Sequence, residues 1–511
     1  MLEIRNLNIT HRKDLQELIK DFSFVLNEGD KVAIIGEEGN GKSTLLKLIY
    51  DEGLVSDYVE YNGQILKKDV RIAYLPQELE DENKGKTVYE YFCGNPCFYD
   101  MDNKELSDLA YKMGMELEMF YSQQHMGKLS GGEKVKMQMA SIIMEKPQVL
   151  LLDEPSNDID MSTLQWLEEF INNCGLSVVF ISHDETLLEN TANIIVHLEQ
   201  IRRKTICRYT VAKMGYEEYV ETRLKAFQRQ EQMARKEKEE YEKQQEKFRR
   251  IQQKVEHDQK NVSRQNPHGG KLLKKKMHVV KSMEKRFEKQ YENMTEMPHD
   301  EEAIMVKFNE DVQLPRGKVV LDFHRDELFV HQRILSRDIN LKVMGGKKIC
   351  IIGKNGVGKT TLIRSIAEEL LQRKDIKASY MPQNYEEELD YNKTPVEFLS
   401  ITWDKEENSR IRTFLGSMKY TTLEMEHNIG ELSGGQKAKL FFLKMIMNKH
   451  NVLILDEPTR NFSALSNPVI RNILKEYGGT IISISHDRKF IREVADTVYE
   501  FTELGLKKIY F

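Results

Sequence analysis

The chain has 511 residues, 76 Lys and Arg against 82 Asp and Glu, a net charge of −6 and a pI near 6.2. That length holds two domains of ordinary size with residues to spare, and a 40% apolar composition supplies their cores. The mild acidity argues against a nucleic-acid binder that is basic throughout, and no stretch reaches the ~18 apolar residues of a membrane helix.

The N-terminal segment MLEIRNLNIT lacks a basic-then-apolar leader. Five scattered cysteines (Cys93, Cys97, Cys174, Cys207 and Cys350) read as free thiols. The expectation is a soluble, cytoplasmic protein. The first strong pattern is the apolar strand KVAIIG, then GEEGNGKS (Gly36–Ser43), then a helix, STLLKLI. Gly36, Gly39 and Gly41 let backbone N–H groups turn in on phosphates, and the helix N-terminus adds its positive end. In this G-x-x-x-x-G-K-[ST] pattern Lys42 reaches the β and γ phosphates of ATP and Ser43 ligates Mg²⁺, with Thr44 beside it.

Gln77, in YLPQ after a strand, is placed to contact Mg²⁺ and the attacking water. LSGGE (Leu129–Glu133) opens a helix. There Ser130, Gly131 and Gly132 offer hydroxyl and N–H donors to a γ-phosphate across a dimer interface. The buried strand VLLLDEP ends in Asp153, a metal-ligating position, and Glu154, positioned to orient or deprotonate water. His183 closes the SHD sequence after SVVFI and reads as a γ-phosphate contact.

Residues 213–296 then change character, being dense in Lys, Arg, Glu and Gln. One seven-residue seam runs through Phe227, Ala234, Tyr241, Phe248, Val255 and Val262. A second runs through Leu273, Val280, Phe287 and Met294, supported by Met277 and Tyr291. NPHGG (Asn266–Gly270) between them is a turn signal, so the spacing predicts an antiparallel helical hairpin. Its charge is polarised: 15 Lys and Arg face 5 acids from Lys243 to Lys289, and no acid occurs from Gln259 to Met283. That basic tip suits a phosphate backbone, with Arg264, Lys271, Lys274, Lys275 and Lys276 as candidate RNA contacts.

The motifs then recur. GKNGVGKT supplies Gly353, Gly356, Gly358, Lys359, Thr360 and Thr361. YMPQ supplies Gln383, and LSGGQ supplies Ser433, Gly434 and Gly435. VLILDEP supplies Asp456 and Glu457, and the second SHD supplies His486. By analogy with the first copy, Thr360, Gln383 and Asp456 read as metal positions, and Glu457 and His486 as catalytic ones. Ser130/Ser433, Asp153/Asp456 and His183/His486 share an offset of 303 residues. The expected fold is α/β: two tandem P-loop nucleotide-binding domains (1–212 and 318–511) joined by a helical hairpin linker (213–317) with a basic tip at about 259–283. Each LSGG would complete the other copy's ATP site within a monomer. ATP would close the pair, and hydrolysis would remove the γ-phosphate contacts.

Two fused cassettes, no membrane domain and a charged helical linker resemble the ABC-F ATPases over essentially the whole chain. That resemblance implies action on the ribosome: entry at the E site of the large subunit, contact with 23S rRNA, and a hairpin aimed at the P-site tRNA and the peptidyl-transferase centre. EPTRNFSALS (Glu457–Ser466) looks like the form in antibiotic-resistance members of the Vga, Lsa and Clostridium pleuromutilin–lincosamide–streptogramin A type, whereas cassette one reads EPSNDID (Glu154–Asp160). The resemblance therefore implies drug protection and two unequal ATP sites. His11 and Phe329 are the candidate nucleotide-stacking side chains. Three other readings stay open at this point: a translation regulator without a drug role, the ATPase of a membrane transporter, and a chromosome or DNA-repair ATPase.

Overall fold

The computed structural model describes residues 2–201, 206–261, 275–283, 285–287, 313–330, 333–385, 388–418 and 420–510. In chain order the strands are β1 (Leu2–His11), β2 (Glu17–Leu26), β3 (Lys31–Ile35), β4 (Val59–Lys67), β5 (Ile72–Leu75), β6 (Val149–Asp153), β7 (Ser177–Ile181), β8 (Ile194–Gln200) and β9 (Ile206–Ala212). The second series is β10 (Val319–Val330), β11 (Arg333–Met344), β12 (Lys348–Ile352), β13 (Ala378–Met381), β14 (Val452–Asp456), β15 (Thr480–Ile484), β16 (Thr497–Thr502) and β17 (Gly505–Ile509).

Each cassette is built on a six-stranded sheet, ordered β5-β6-β7-β3-β8-β9 in the first and β13-β14-β15-β12-β16-β17 in the second. The inner strands pair in parallel, and only the last strand of each sheet runs antiparallel. Strands β3, β6 and β7 are buried at every residue, which is why their sequences read as unbroken apolar runs rather than alternating ones. Helices cover the sheets, and Leu151, Leu167, Ile454 and Leu474 are fully buried between the layers. Truncating any one of them to Ala is expected to cost about 2–5 kcal/mol. The outcome is the expected pair of α/β cassettes. An antiparallel sheet flanks each, β2-β1-β4 in the first and β10-β11 in the second. Strand β4 lies in the longer stretch that separates the first phosphate loop from Gln77, and it has no counterpart among the described strands of cassette two.

Both cassettes belong to one compact unit, Met1–Tyr216 with Glu301–Phe511, and Glu217–Asp300 forms a second. A single helix runs from Tyr216, the last residue before the second unit, to Asn261, 46 residues, about 70 Å at 1.5 Å per residue. A second helical stretch covers residues 275–283 and 285–287. Phe287 packs edge-on against Phe248 and Tyr241, with ring centroids 5.3 and 6.2 Å apart, so the two stretches share the predicted seam. Ala234 and Val280 are buried on it, while Lys275 and Lys276 are exposed. Three i,i+4 pairs with the acid N-terminal to the base (Glu221–Lys225, Glu231–Arg235 and Glu246–Arg250) support the solvent face of the long helix. The NPHGG turn, Arg264, Lys271, Lys274, Val262, Leu273, Met294, Tyr291 and the side chain of Val255 lie outside the described residues. No described helix is long and apolar enough to cross a membrane.

Candidate functional site

Gly41 and Gly358 adopt left-handed conformations, φ 83° and 101°, and open the helices Lys42–Tyr50 and Lys359–Leu371. Neither N-terminus is capped by a side chain, so its N–H groups remain available to an anion. Lys42 is buried and donates to the carbonyls of Gly36 and Glu37, both at 2.9 Å. Lys359 does the same to Gly353 and Lys354 at 2.9 Å. Gly36 and Gly353 each lie against a strand-end carbonyl, of Leu198 and Phe501, leaving no room for a Cβ. Nothing lies within 4 Å of a Cβ built on Gly39 or Gly356, so the middle of each loop is open. Thr44 and Thr361 stand in the first helical turns.

Ser43 donates to Asp153 at 2.9 Å, and Tyr74 donates to its other oxygen at 3.0 Å. Burial raises the Asp153 carboxyl and lifts that of Asp456 to about 6, against the opposing hydrogen bond from Thr360. One buried oxygen of Asp456 has no hydrogen-bond partner among the described residues. A hydroxyl beside a buried, incompletely partnered carboxylate fits Mg²⁺, which takes one or two protein oxygens and completes its shell with phosphates and water. The described residues contain no cluster of three His, Cys, Asp or Glu that would hold a metal unaided.

Glu154 and Glu457 both take left-handed backbone, φ 49° and 55°, a conformation that costs a non-glycine residue about 1–3 kcal/mol. Their N–H groups are tied to Ile181 and Ile484 on the neighbouring strands. The bend turns both carboxylates away from the sheet toward the histidines. There the two sites diverge. Glu154 meets His183 Nε2 at 3.1 Å, accepts from Asn157 at 2.5 Å, and lies 3.5 Å from Gln77. Burial acts to raise its carboxyl, but His183, Lys42 and Asn157 outweigh it and hold the group at about 2. Glu457 accepts the His486 backbone N–H at 3.3 Å, and the imidazole is 3.8 Å away. Burial and the neighbouring Asp456 charge push Glu457 up to about 8, while burial and Lys359 bring His486 down to about 4. Arg460 occupies the place of Asn157, three residues beyond the glutamate, but pairs with Asp158 of cassette one at 2.8 Å.

The signature loops cap helices. Ser130 with Glu133, and Ser433 with Gln436, form reciprocal capping boxes at the starts of Gly131–Met144 and Gly434–Met447. Each loop faces the other cassette's phosphate loop. A cavity of about 1010 Å³ is lined by Ser130, Gly131 and Asp158 of cassette one together with Lys359, Asp456 and Glu457 of cassette two. At the other junction the Gly435 N–H donates to Glu38 at 2.7 Å, and Ser463 and Ser466 donate to Glu37 at 2.6 and 2.5 Å. Gly434 lies beside Glu38 at this junction, while Gly132, in the signature of cassette one, packs on Thr163 of its own cassette. Gln383 lies 3.4 Å from Asp158 rather than on Glu457.

His11 pairs with Asp14 at 2.8 Å, and Phe329 is half exposed and lies outside the cavity lining. Leu18 and Leu335 are the side chains packed over Gly41 and Gly358. Sequence reading also passed over Glu37, Glu38, Asp158 and Asn355, which reach across the junction; Asn355 donates to the Asp158 carbonyl at 2.6 Å. The signal available was the pair of acids inside the first phosphate loop, where the second has Lys354 and Asn355.

Two P-loop cassettes that lend each other their signature loops define an ABC-type ATPase. The ABC transporter family profile matches residues 19–157 and 336–460, and the chain belongs to that family. Two relatives matched over nearly the whole chain are named as ABC transporter F family members. The chain is 28% identical over 515 residues to the ribosome protection protein VmlR of Bacillus subtilis (strain 168), across 99% of this chain and 88% of that one. It is 26% identical over 565 residues to ABC transporter F family member 2 of Arabidopsis thaliana, across 98% and 77%. Among solved structures, the archaeal ribosome recycling factor aABCE1, in its complex with the ribosomal stalk protein aP1, shares the fold with a TM-score of 0.60 at 16% identity, covering 99% of this chain and 90% of that one.

Proposed function

We propose that this chain is a ribosome-bound ATPase that protects the peptidyl-transferase centre from drugs. In this reading it enters the E site of the large subunit and contacts 23S rRNA. Its hairpin then displaces the P-site tRNA enough to clear lincosamides, pleuromutilins or streptogramin A. The observation that carries it is the joining of two mutually completed ATP sites to a helical arm with an acid-free, basic stretch from 259 to 283. Nearly full-length similarity to a protein named for ribosome protection supports it.

In each site Lys42 or Lys359 holds the β and γ phosphates. Ser43 with Asp153, and Thr360 with Asp456, would hold Mg²⁺, which would supply charge neutralisation on the phosphates. Glu154 and Glu457 orient the attacking water and accept its proton, aided by Gln77 and Gln383, and His183 and His486 contact the γ-phosphate. The signature residues Ser130 to Gly132 and Ser433 to Gly435 clamp that phosphate from the opposite cassette. ATP therefore closes the pair, and its hydrolysis opens it.

The test is expression in a sensitive Gram-positive host, with inhibitory concentrations measured for the three drug classes. Raised values for at least one class are expected. Unchanged values for every peptidyl-transferase drug, in cells that make folded protein, would overturn the drug assignment.

The two sites should also behave unequally. Glu154 has Asn157 and His183 on its carboxylate, while Arg460 in the matching position faces Asp158 instead. Glu154→Gln and Glu457→Gln, made singly, are expected to leave ATPase rates that differ several-fold. Superimposable steady-state kinetics would contradict the asymmetry. At the arm, Lys274→Ala, Lys275→Ala and Lys276→Ala together should weaken ribosome binding. They should also flatten its salt dependence by about three counterions' worth of slope at most. An unaltered salt slope would remove these lysines from the RNA-contact set.

A further inference from the structure

Away from the phosphates, the two cassettes meet through a second set of contacts. Arg471, 3% exposed, forms a two-pronged pair with Glu185, 5% exposed, one prong at 3.1 Å. Arg488 pairs with Glu168 and lies 3.4 Å from Asp184. Lys489 adds contacts to Glu185, at 3.3 Å, and to Glu189. Every cation here comes from cassette two, and each of these acids comes from cassette one.

The internal repeat gives this segregation a meaning. Under the offset of 303, Glu168 corresponds to Arg471 and Glu185 corresponds to Arg488. The Glu168–Arg488 and Arg471–Glu185 pairs are therefore the same contact, seen twice through the pseudo-two-fold axis that relates the cassettes. One cassette carries acid at both positions and the other carries Arg at both. If two copies of cassette one met in this geometry, Glu168 would face Glu185 twice. If two copies of cassette two met, Arg471 would face Arg488 twice. Either arrangement sets like charges against each other in a largely buried contact, which is costlier than a surface mismatch. The mixed pair makes two attractive contacts instead.

We propose that this reversal of charge between matched positions is the code by which the two cassettes select each other and reject copies of themselves. Glu185 and Arg488 open the helices Glu185–Thr191 and Arg488–Val494, two residues after His183 and His486. The code thus sets the register in which each histidine is presented to its composite site. It is independent of any action on ribosomes, and its test needs none.

Three full-length variants decide it. The acidic variant carries Arg471→Glu and Arg488→Glu, with Glu493→Asn. The last change removes the acid 2.9 Å from Arg471 and matches Asn190, its counterpart in cassette one. The basic variant carries Glu168→Arg and Glu185→Arg. The exchanged variant carries all five changes. ATPase rate and mass by light scattering are measured, with circular dichroism as the check on folding. The acidic and basic variants are each expected to lose at least ~10-fold in turnover. Mixing them should restore activity in a particle of twice the monomer mass, and the exchanged variant should recover activity as a monomer. An exchanged variant that is folded yet no faster than its two halves overturns the proposal, as does either half at the wild-type rate. If the reversals prevent folding, Glu168→Gln and Arg488→Gln serve as a milder cycle. The double substitution should then lose less than the product of the two single losses, and strictly multiplicative losses would overturn the code.

Discussion

Full-length protein carrying Glu154→Gln and Glu457→Gln together is expected to bind ATP normally and to hydrolyse it ~10²–10⁴-fold more slowly. Both carboxylates stand on left-handed backbone at the end of a buried strand, one residue beyond the aspartates assigned to Mg²⁺. Neither supports the fold in a way that glutamine cannot. Glutamine keeps the volume and can still accept from Asn157 or from the His486 N–H. What it loses is the ability to take a proton from water. The lost turnover should therefore appear in kcat, with ATP affinity preserved. With hydrolysis blocked, the γ-phosphate stays between each phosphate loop and the opposing signature loop, so the paired cassettes should remain closed. Double-mutant turnover equal to wild type would show that other groups activate the water.

The second large effect concerns the arm. Shortening the segment from Val262 to Gly270 is expected to abolish drug protection while leaving ribosome-free ATPase within about twofold of wild type. No residue of that segment belongs to a phosphate loop, a signature or a strand-end acid pair. The acid-free stretch around it is the most basic part of an otherwise acidic chain, so it is the part suited to RNA phosphates. Inhibitory concentrations and ATPase should thus separate cleanly. Full protection by the shortened protein would reduce the arm to a spacer between two cassettes.

Much of this was legible in the residues themselves. Phosphate loops, signatures and strand-end acids are local patterns whose chemistry depends on spacing, so one pass along the chain locates them. The unbroken apolar runs VLLLD and SVVFI announce buried parallel strands, and the Phe248–Phe287 contact follows the seven-residue seam. What stayed hidden depends on surfaces brought together by the pseudo-two-fold. Glu37 and Glu38 look like variable positions of a phosphate loop until Ser463, Ser466 and Gly435 arrive from the other cassette. Glu168, Glu185, Arg471 and Arg488 look like ordinary helix charges, and only the three-dimensional pairing shows that their signs alternate between matched positions. The nucleotide-stacking side chain left no clear pattern in the sequence: His11 pairs with Asp14, and leucines rather than aromatics lie over Gly41 and Gly358.

The most direct test of the account is a ribosome co-sedimentation measurement on the Glu154→Gln/Glu457→Gln protein, run with ATP and with ADP over a range of salt. The closed, ATP-loaded form should pellet with 70S ribosomes, release steeply as salt rises, and fail to pellet with ADP. Equal recovery with the two nucleotides, or no recovery with either, would contradict an ATPase whose closure is coupled to the ribosome.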